Sequence, residues 1–110
     1  MLQIDPPQLR AWLDDTARTP PVLLDVREAW ELERAALEGA VWMPMREVPA
    51  RLAELAELDP AADIVVVCHH GVRSFYIARF LEQQGFSRVY NLSGGVDGWA
   101  RQVDPSMQIY

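Results

Sequence analysis

The segment Cys68-His69-His70-Gly71-Val72-Arg73-Ser74 places the chain's one cysteine, its only two histidines and an arginine within seven positions. Before it, Ile64-Val65-Val66-Val67 reads as a buried strand, and the amphipathic stretch after it reads as a helix. A thiol carried from a strand end to a helix start meets converging backbone N–H groups and the positive end of the helix dipole, so it is expected to react as a thiolate. The chemistry this allows is nucleophilic attack by sulfur, with a covalent intermediate on Cys68. Gly71 serves such a loop by letting the backbone turn with its N–H groups inward. Without that setting, a cysteine after three valines is more often a small buried hydrophobe than a nucleophile.

Other chemistries fit less well. Cys68, His69 and His70 offer metal-ligand atoms, but adjacent residues rarely converge on one ion without further ligands. A metal is therefore not expected, and nucleophilic chemistry on Cys68 requires no organic cofactor. Asp25 and Arg27 stand at a strand end where catalysis is possible, yet an Asp-x-Arg pair there is expected to be an ion-pair brace. Glu28, Glu31, Glu33, Glu38, Glu54 and Glu57 read as solvated helix faces. Trp30, Trp42 and Trp99 read as core and packing residues, with Trp42 close enough to Pro44 to border a site.

The elements that must position these residues alternate. Asp5-Pro6-Pro7-Gln8 reads as a helix N-cap with proline at the first helical position, followed by Leu9, Trp12 and Leu13 at helical spacing. Val22 to Val26 follows the Pro20-Pro21 break as a strand. Glu28 to Glu38 is helical in its first part and turns at Gly39 into a short extended piece, Ala40 to Met43. A helix from Pro49 uses Leu52, Leu55 and Leu58 and ends at Asp59-Pro60. After Cys68, Phe75, Ala78, Phe80 and Leu81 form a helical face closed by Gly85. Val89 to Leu92 is a strand, and Gly94-Gly95 precedes a closing helix with Trp99. Strands alternating with helices imply a mostly parallel α/β sheet covered on both faces, with the active crevice beyond the C-terminal strand ends. Asp25, Cys68 and Ser93-Gly94 all fall at such ends.

Size and composition fit one domain over residues 1–110: the length supports a core, half the residues are apolar, and there is no internal repeat or linker. A formal charge of −6 with no basic run argues against nucleic acid or an anionic membrane as partner. Between Asp63 and Glu82 no carboxylate occurs, which leaves a neutral-to-positive segment around the thiol as a landing place for a small anion. No leader-like or membrane-spanning stretch is visible and a lone cysteine forms no internal disulfide, so the expected compartment is the cytoplasm.

Taken in order, Leu24-Asp25-Val26-Arg27-Glu28, Leu37-Glu38-Gly39-Ala40 with Met43-Pro44, Cys68 to Ser74, and Asn91-Leu92-Ser93-Gly94-Gly95 with Trp99 resemble the motifs of single-domain rhodanese-like sulfurtransferases. The resemblance covers about Ile4 to Val103. It implies a rhodanese fold, a central five-stranded parallel sheet flanked by helices, with Cys68 carrying sulfane sulfur as a persulfide in a cradle formed by Cys68, His69, His70, Gly71, Val72 and Arg73. Asp25, Arg27 and Ser74 would support that cradle. Where relatives write Gly-His-Ile-Pro-Gly-Ala, this chain has Ala35-Ala36-Leu37-Glu38-Gly39-Ala40, which implies altered local structure with the sulfur chemistry kept.

The same resemblance separates two chemistries by loop length: six residues suit sulfur, seven suit the phosphate of the related phosphatases. Cys68 to Arg73 is six, so a small phosphatase or arsenate reductase is the poorer reading. Arg73-Ser74 also departs from the Gly-Val-Thr ending of mercaptopyruvate-specific relatives, which favours a thiosulfate-like anionic donor. Arg73 would attract that donor, aided by His69 or His70 if protonated. With no second cysteine to resolve the persulfide, an external acceptor is required: a thiol, cyanide or a partner protein. A persulfide carrier with slow turnover is the alternative of a different class.

Overall fold

The computed structural model of the protein describes residues 1–58 and 61–110. The elements are β1 (Leu2–Ile4), α1 (Pro6–Asp14), β2 (Val22–Asp25), α2 (Ala29–Arg34), β3 (Val41–Trp42), α3 (Leu52–Glu57), β4 (Ile64–Val67), α4 (Val72–Gln83), β5 (Val89–Leu92) and α5 (Gly95–Gln102). The five strands form one parallel sheet in the order β1-β5-β4-β2-β3. The expected end of the third helix at Asp59-Pro60 lies outside the described residues.

Period-two alternation on the central strand explains how both faces are covered. Ile64 and Val66 point into one core with Leu24, Leu55, Ile77, Ala78 and Leu81, so α3 and α4 cover that face. Val65 and Val67 point into the other with Leu9, Trp12, Val96 and Trp99, so α1 and α5 cover the opposite face. One step past the strand, Cys68 returns to the first core. No helix among the described residues is long and apolar enough to cross a membrane.

The local signals hold where they are local. Asp5 caps α1 through a capping box with Gln8, and Pro6 is its first residue. Gly85, with φ of +99°, follows the end of α4. Two expectations are corrected. β1 has no counterpart in the element-by-element reading, because a three-residue edge strand is too short to show a period; it adds to β5 through pairs such as Ile4 with Leu92. The buried face of α4 is Ser74, Ile77, Ala78 and Leu81, while Phe75 and Phe80 are only half-buried.

Candidate active site

Cys68 leaves β4 into a loop that α5 holds from below. The first N–H groups of a helix have no partner within it, and here those of Val96 and Asp97 donate to the carbonyls of Cys68 (2.9 Å) and His69 (3.0 Å). The approach is so close that a Cβ on Gly95, at φ of +58°, would lie 2.4 Å from the Cys68 carbonyl oxygen. Only glycine fits. Because those carbonyls are drawn toward α5, the trans-related N–H groups of His69 and His70 point away from it.

The hydrogen-bond partners of the sulfur are uncharged. Cys68 is 1% exposed. Its Sγ accepts a hydrogen bond from the Gly71 N–H at 3.1 Å and lies 3.2 Å from the Ser74 hydroxyl. Ser74, buried in the first turn of α4, donates to Asn91 Oδ1 on β5. The Asn91 amide in turn donates to Gln3 Oε1 at 2.9 Å and to the Gly71 carbonyl at 3.1 Å, which fixes which end of the amide faces Ser74. Gly71 has φ of +96°, and a Cβ there would stand 3.0 Å from the Gly94 nitrogen, so the loop rests on the Ser93-Gly94 turn.

Charge lies on the other side. Arg73 is bound to Glu31 by two parallel hydrogen bonds of 2.7 Å. That guanidinium holds the Glu31 carboxyl down at about 2 from an ordinary 4.5, and Glu31 holds Arg73 above its own ordinary value. Asp25 and Arg27 form a fully buried pair, with 2.9 Å from Nε to Oδ1 and 2.7 Å from Nη2 to Oδ2. Arg27 Nη2 also donates to the Ala35 carbonyl at 2.7 Å. This is the expected brace, and it also ties down the segment where the Gly-His-Ile-Pro pattern is missing. Tyr110 joins the two pairs through its hydroxyl, which accepts from Arg27 and donates to Glu31.

Several expectations change here. Glu31 is not on a solvated face: it is 3% exposed, turned inward at the third position of α2. Trp30 and Trp42 are not core, being 55% and 42% exposed; Trp42 does border the site, donating from Nε1 to the Arg27 carbonyl at 2.8 Å. The acid-free stretch from Asp63 to Glu82 is not acid-free in space, since Glu31 meets Arg73 and Asp97 lies 3.8 Å from His70. The two histidines differ as well. His69 is packed between His70 and the Tyr110 ring, and burial, with His70 beside it, pushes its imidazole below the ordinary value. His70 is exposed. Ligand atoms of His69, His70 and Asp97 lie within 4.8 Å of one another, with the histidine ring centroids 3.9 Å apart and their planes tilted by 32°, and Asp97 also accepts from Arg101 at 2.9 Å. Val72 stands exposed at the rim.

Glu31, Asn91, Gln3 and Tyr110 are site residues that the sequence reading did not assign to the site. For Asn91 the signal was present, as it opens the Asn91-Leu92-Ser93-Gly94-Gly95 motif. For Tyr110 there was none.

Comparison with known proteins bears on the fold and the family. The rhodanese-like domain family matches residues 5–102. A sulfurtransferase of Allochromatium vinosum is 35% identical over 103 residues, covering 94% of this chain and 92% of that protein. The chloroplastic rhodanese-like/PpiC domain-containing protein 12 of Arabidopsis thaliana is 39% identical over 89 residues, 80% of this chain, but the match spans only 30% of that protein. The crystal structure of a thiosulfate sulfurtransferase from Pseudomonas aeruginosa superposes with a TM-score of 0.80 at 29% identity, covering all of this chain and 20% of that one. With its five-stranded parallel sheet and its Cys68 loop, the chain belongs to the rhodanese-like family, whose common chemistry is sulfur transfer.

Proposed function

We propose that the protein moves sulfane sulfur from a thiosulfate-like dianion to a thiol or cyanide acceptor through a persulfide on Cys68. The Cys68 thiolate attacks the outer sulfur of the donor, the bond to the sulfonate sulfur breaks, and its electron pair leaves with sulfite. The acceptor nucleophile then takes the outer sulfur and returns Cys68 as thiolate; with cyanide the product is thiocyanate. Cys68 is the nucleophile. His69, His70, Gly71, Val72 and Arg73 form the loop around the transferred sulfur, while Asp25, Arg27 and Ser74 support it.

The observation that carries the reading is the compact turn in which the Gly71 N–H reaches the Cys68 sulfur within a six-residue loop. Its carbonyls at Cys68 and His69 are engaged by α5, which leaves N–H groups on the other side for an anionic sulfur. A phosphoryl group would need a wider cradle.

A second reading, a persulfide carrier with slow turnover on small donors, is favoured by a specific feature. Arg73, the cation nearest in the loop sequence, is held on Glu31 by both of its terminal nitrogens, so little free positive charge remains to capture a small dianion. One experiment separates the readings. The protein is incubated with thiosulfate, its intact mass is recorded, cyanide is added, and thiocyanate is assayed beside a Cys68→Ser control. Gain of one sulfur atom followed by rapid thiocyanate release is the expected result. Sulfur gain with negligible thiocyanate selects the carrier, and a wild type that gains no sulfur removes the sulfurtransferase reading.

A further inference from the structure

Tyr110 lies in no motif, yet it bridges the charged side of the site. After α5 the chain turns through Asp104, whose N–H bonds back to the Trp99 carbonyl and whose own carbonyl takes the Met107 N–H. The segment then returns across the C-terminal strand ends. There the Tyr110 ring lies flat on His69, with centroids 3.8 Å apart and planes within 4°, and Trp30 makes a T-shaped contact with it at 5.9 Å.

The hydroxyl is placed as deliberately as the ring. It accepts from Arg27 Nη1 at 2.8 Å, so its single proton is directed to Glu31 Oε1 at 3.1 Å. Burial pushes the phenol above its ordinary value, so it keeps that proton. The two ion pairs thereby become one chain of contacts, Asp25, Arg27, Tyr110, Glu31, Arg73, running from the sheet to the loop.

We propose that Tyr110 is a positioning residue for sulfur transfer, its ring fixing His69 beside the nucleophile and its hydroxyl fixing, through Glu31, where Arg73 stands. The proposal rests on the sulfur-transfer reading of Cys68. Ring and hydroxyl act on different quantities. His69 adjoins Cys68 in the chain, so freeing its side chain lets the sulfur wander and lowers kcat. Without the hydroxyl, Glu31 loses a donor and turns more negative charge toward an anionic donor, which raises KM.

The test measures persulfide formation from thiosulfate for wild type, Tyr110→Phe, Tyr110→Leu and the exposed neighbour Ile109→Ala. Tyr110→Phe keeps the ring and is expected to raise KM about threefold with kcat little changed, as for loss of one modest hydrogen bond. Tyr110→Leu is expected to lower kcat about tenfold as the loop loses registration. Ile109→Ala behaves as wild type. In parallel, an NMR titration of His69 is expected to move toward the ordinary imidazole value in Tyr110→Leu and to stay in place in Tyr110→Phe. Wild-type kcat and KM in both tyrosine variants would overturn the proposal and leave sulfur transfer standing. Should Tyr110→Leu fail to fold, an unchanged KM in Tyr110→Phe is enough to overturn it. If wild type takes up no sulfur, the underlying reading fails instead, and the His69 titration still decides whether the clamp exists.

Discussion

The two flanks of the Cys68 loop are built from different materials. On one side Gly71, Ser74, Asn91 and Gln3 link the sulfur to α4, β5 and β1 through hydrogen bonds that carry no formal charge. On the other, Arg73, Glu31, Tyr110, Arg27 and Asp25 link the loop to α2 and β2 through two matched ion pairs. Burying a polar neutral group costs little once its hydrogen bonds are made, whereas a buried charge is tolerated only with its counter-charge in place. The difference divides the labour. The neutral flank holds the sulfur through uncharged partners, and the charged flank ties down the loop through ion pairs.

The contrast is broken most severely at Arg27. Arg27→Met leaves Asp25 buried with its charge uncompensated, and the expected cost is about 3–5 kcal/mol, read as a lower urea midpoint at unchanged slope. Adding Asp25→Asn removes the stranded charge, so the double variant is expected to recover part of the loss. If the single variant is no less stable than the double, the pair is not the brace its burial indicates.

Glu31 tests the same flank by pH. Its carboxyl is held at about 2 against an ordinary 4.5. A group depressed in the folded state adds stability that is complete above its unfolded value and lost as pH falls through its folded value. Wild type therefore loses on the order of 3 kcal/mol between about pH 4.5 and 2 from this group. Glu31→Gln is expected to lack that component of the acid transition while binding thiosulfate more tightly at neutral pH, since Arg73 is no longer neutralised. Acid transitions of the same depth and midpoint in the two proteins would mean that Glu31 contributes nothing there.

What the sequence made legible follows the same division. The Asp5 cap, the glycine after α4, the Gly94-Gly95 turn and the six-residue loop rest on neighbours a few positions apart, where residue type dictates backbone shape. Glu31 meets Arg73 across 42 positions and Tyr110 across 79, and nothing local announces such pairs. In an acidic chain Glu31 looked like one more solvated carboxylate, and Trp30 beside it looked like core. The fold reverses them: α2 buries Glu31 and leaves Trp30 half-exposed over Tyr110. A six-residue helix has too few turns to reveal its inward face by period.

The neutral flank is expected to be less costly to cut. Asn91→Ala strips a partner from the Ser74 hydroxyl, the Gln3 amide and the Gly71 carbonyl together, at about 1–3 kcal/mol. Its effect on sulfur loading should exceed its effect on stability in relative terms, because Ser74 is then free to turn its proton onto the sulfur or away from it. Sulfur loading at the wild-type rate in a measurably destabilised Asn91→Ala would separate this flank from the chemistry.

The smallest effect is expected at Arg46, and it shows why distance alone misleads. Arg46 meets Glu28 at 2.7 Å, the same separation as Arg73 from Glu31. Yet its side chain is 65% exposed and that of Glu28 46%, against 3% for Glu31. In water the attraction is screened by solvent and salt, and holding two long side chains together costs rotamer freedom, so Arg46→Ala is expected to change stability by less than about 1 kcal/mol. The difference between variant and wild type should shrink further in high salt, while the penalty of Arg27→Met persists because its pair is dry. A loss at Arg46 as large as that at Arg27, undiminished by salt, would mean that the charged flank extends to the surface as one network.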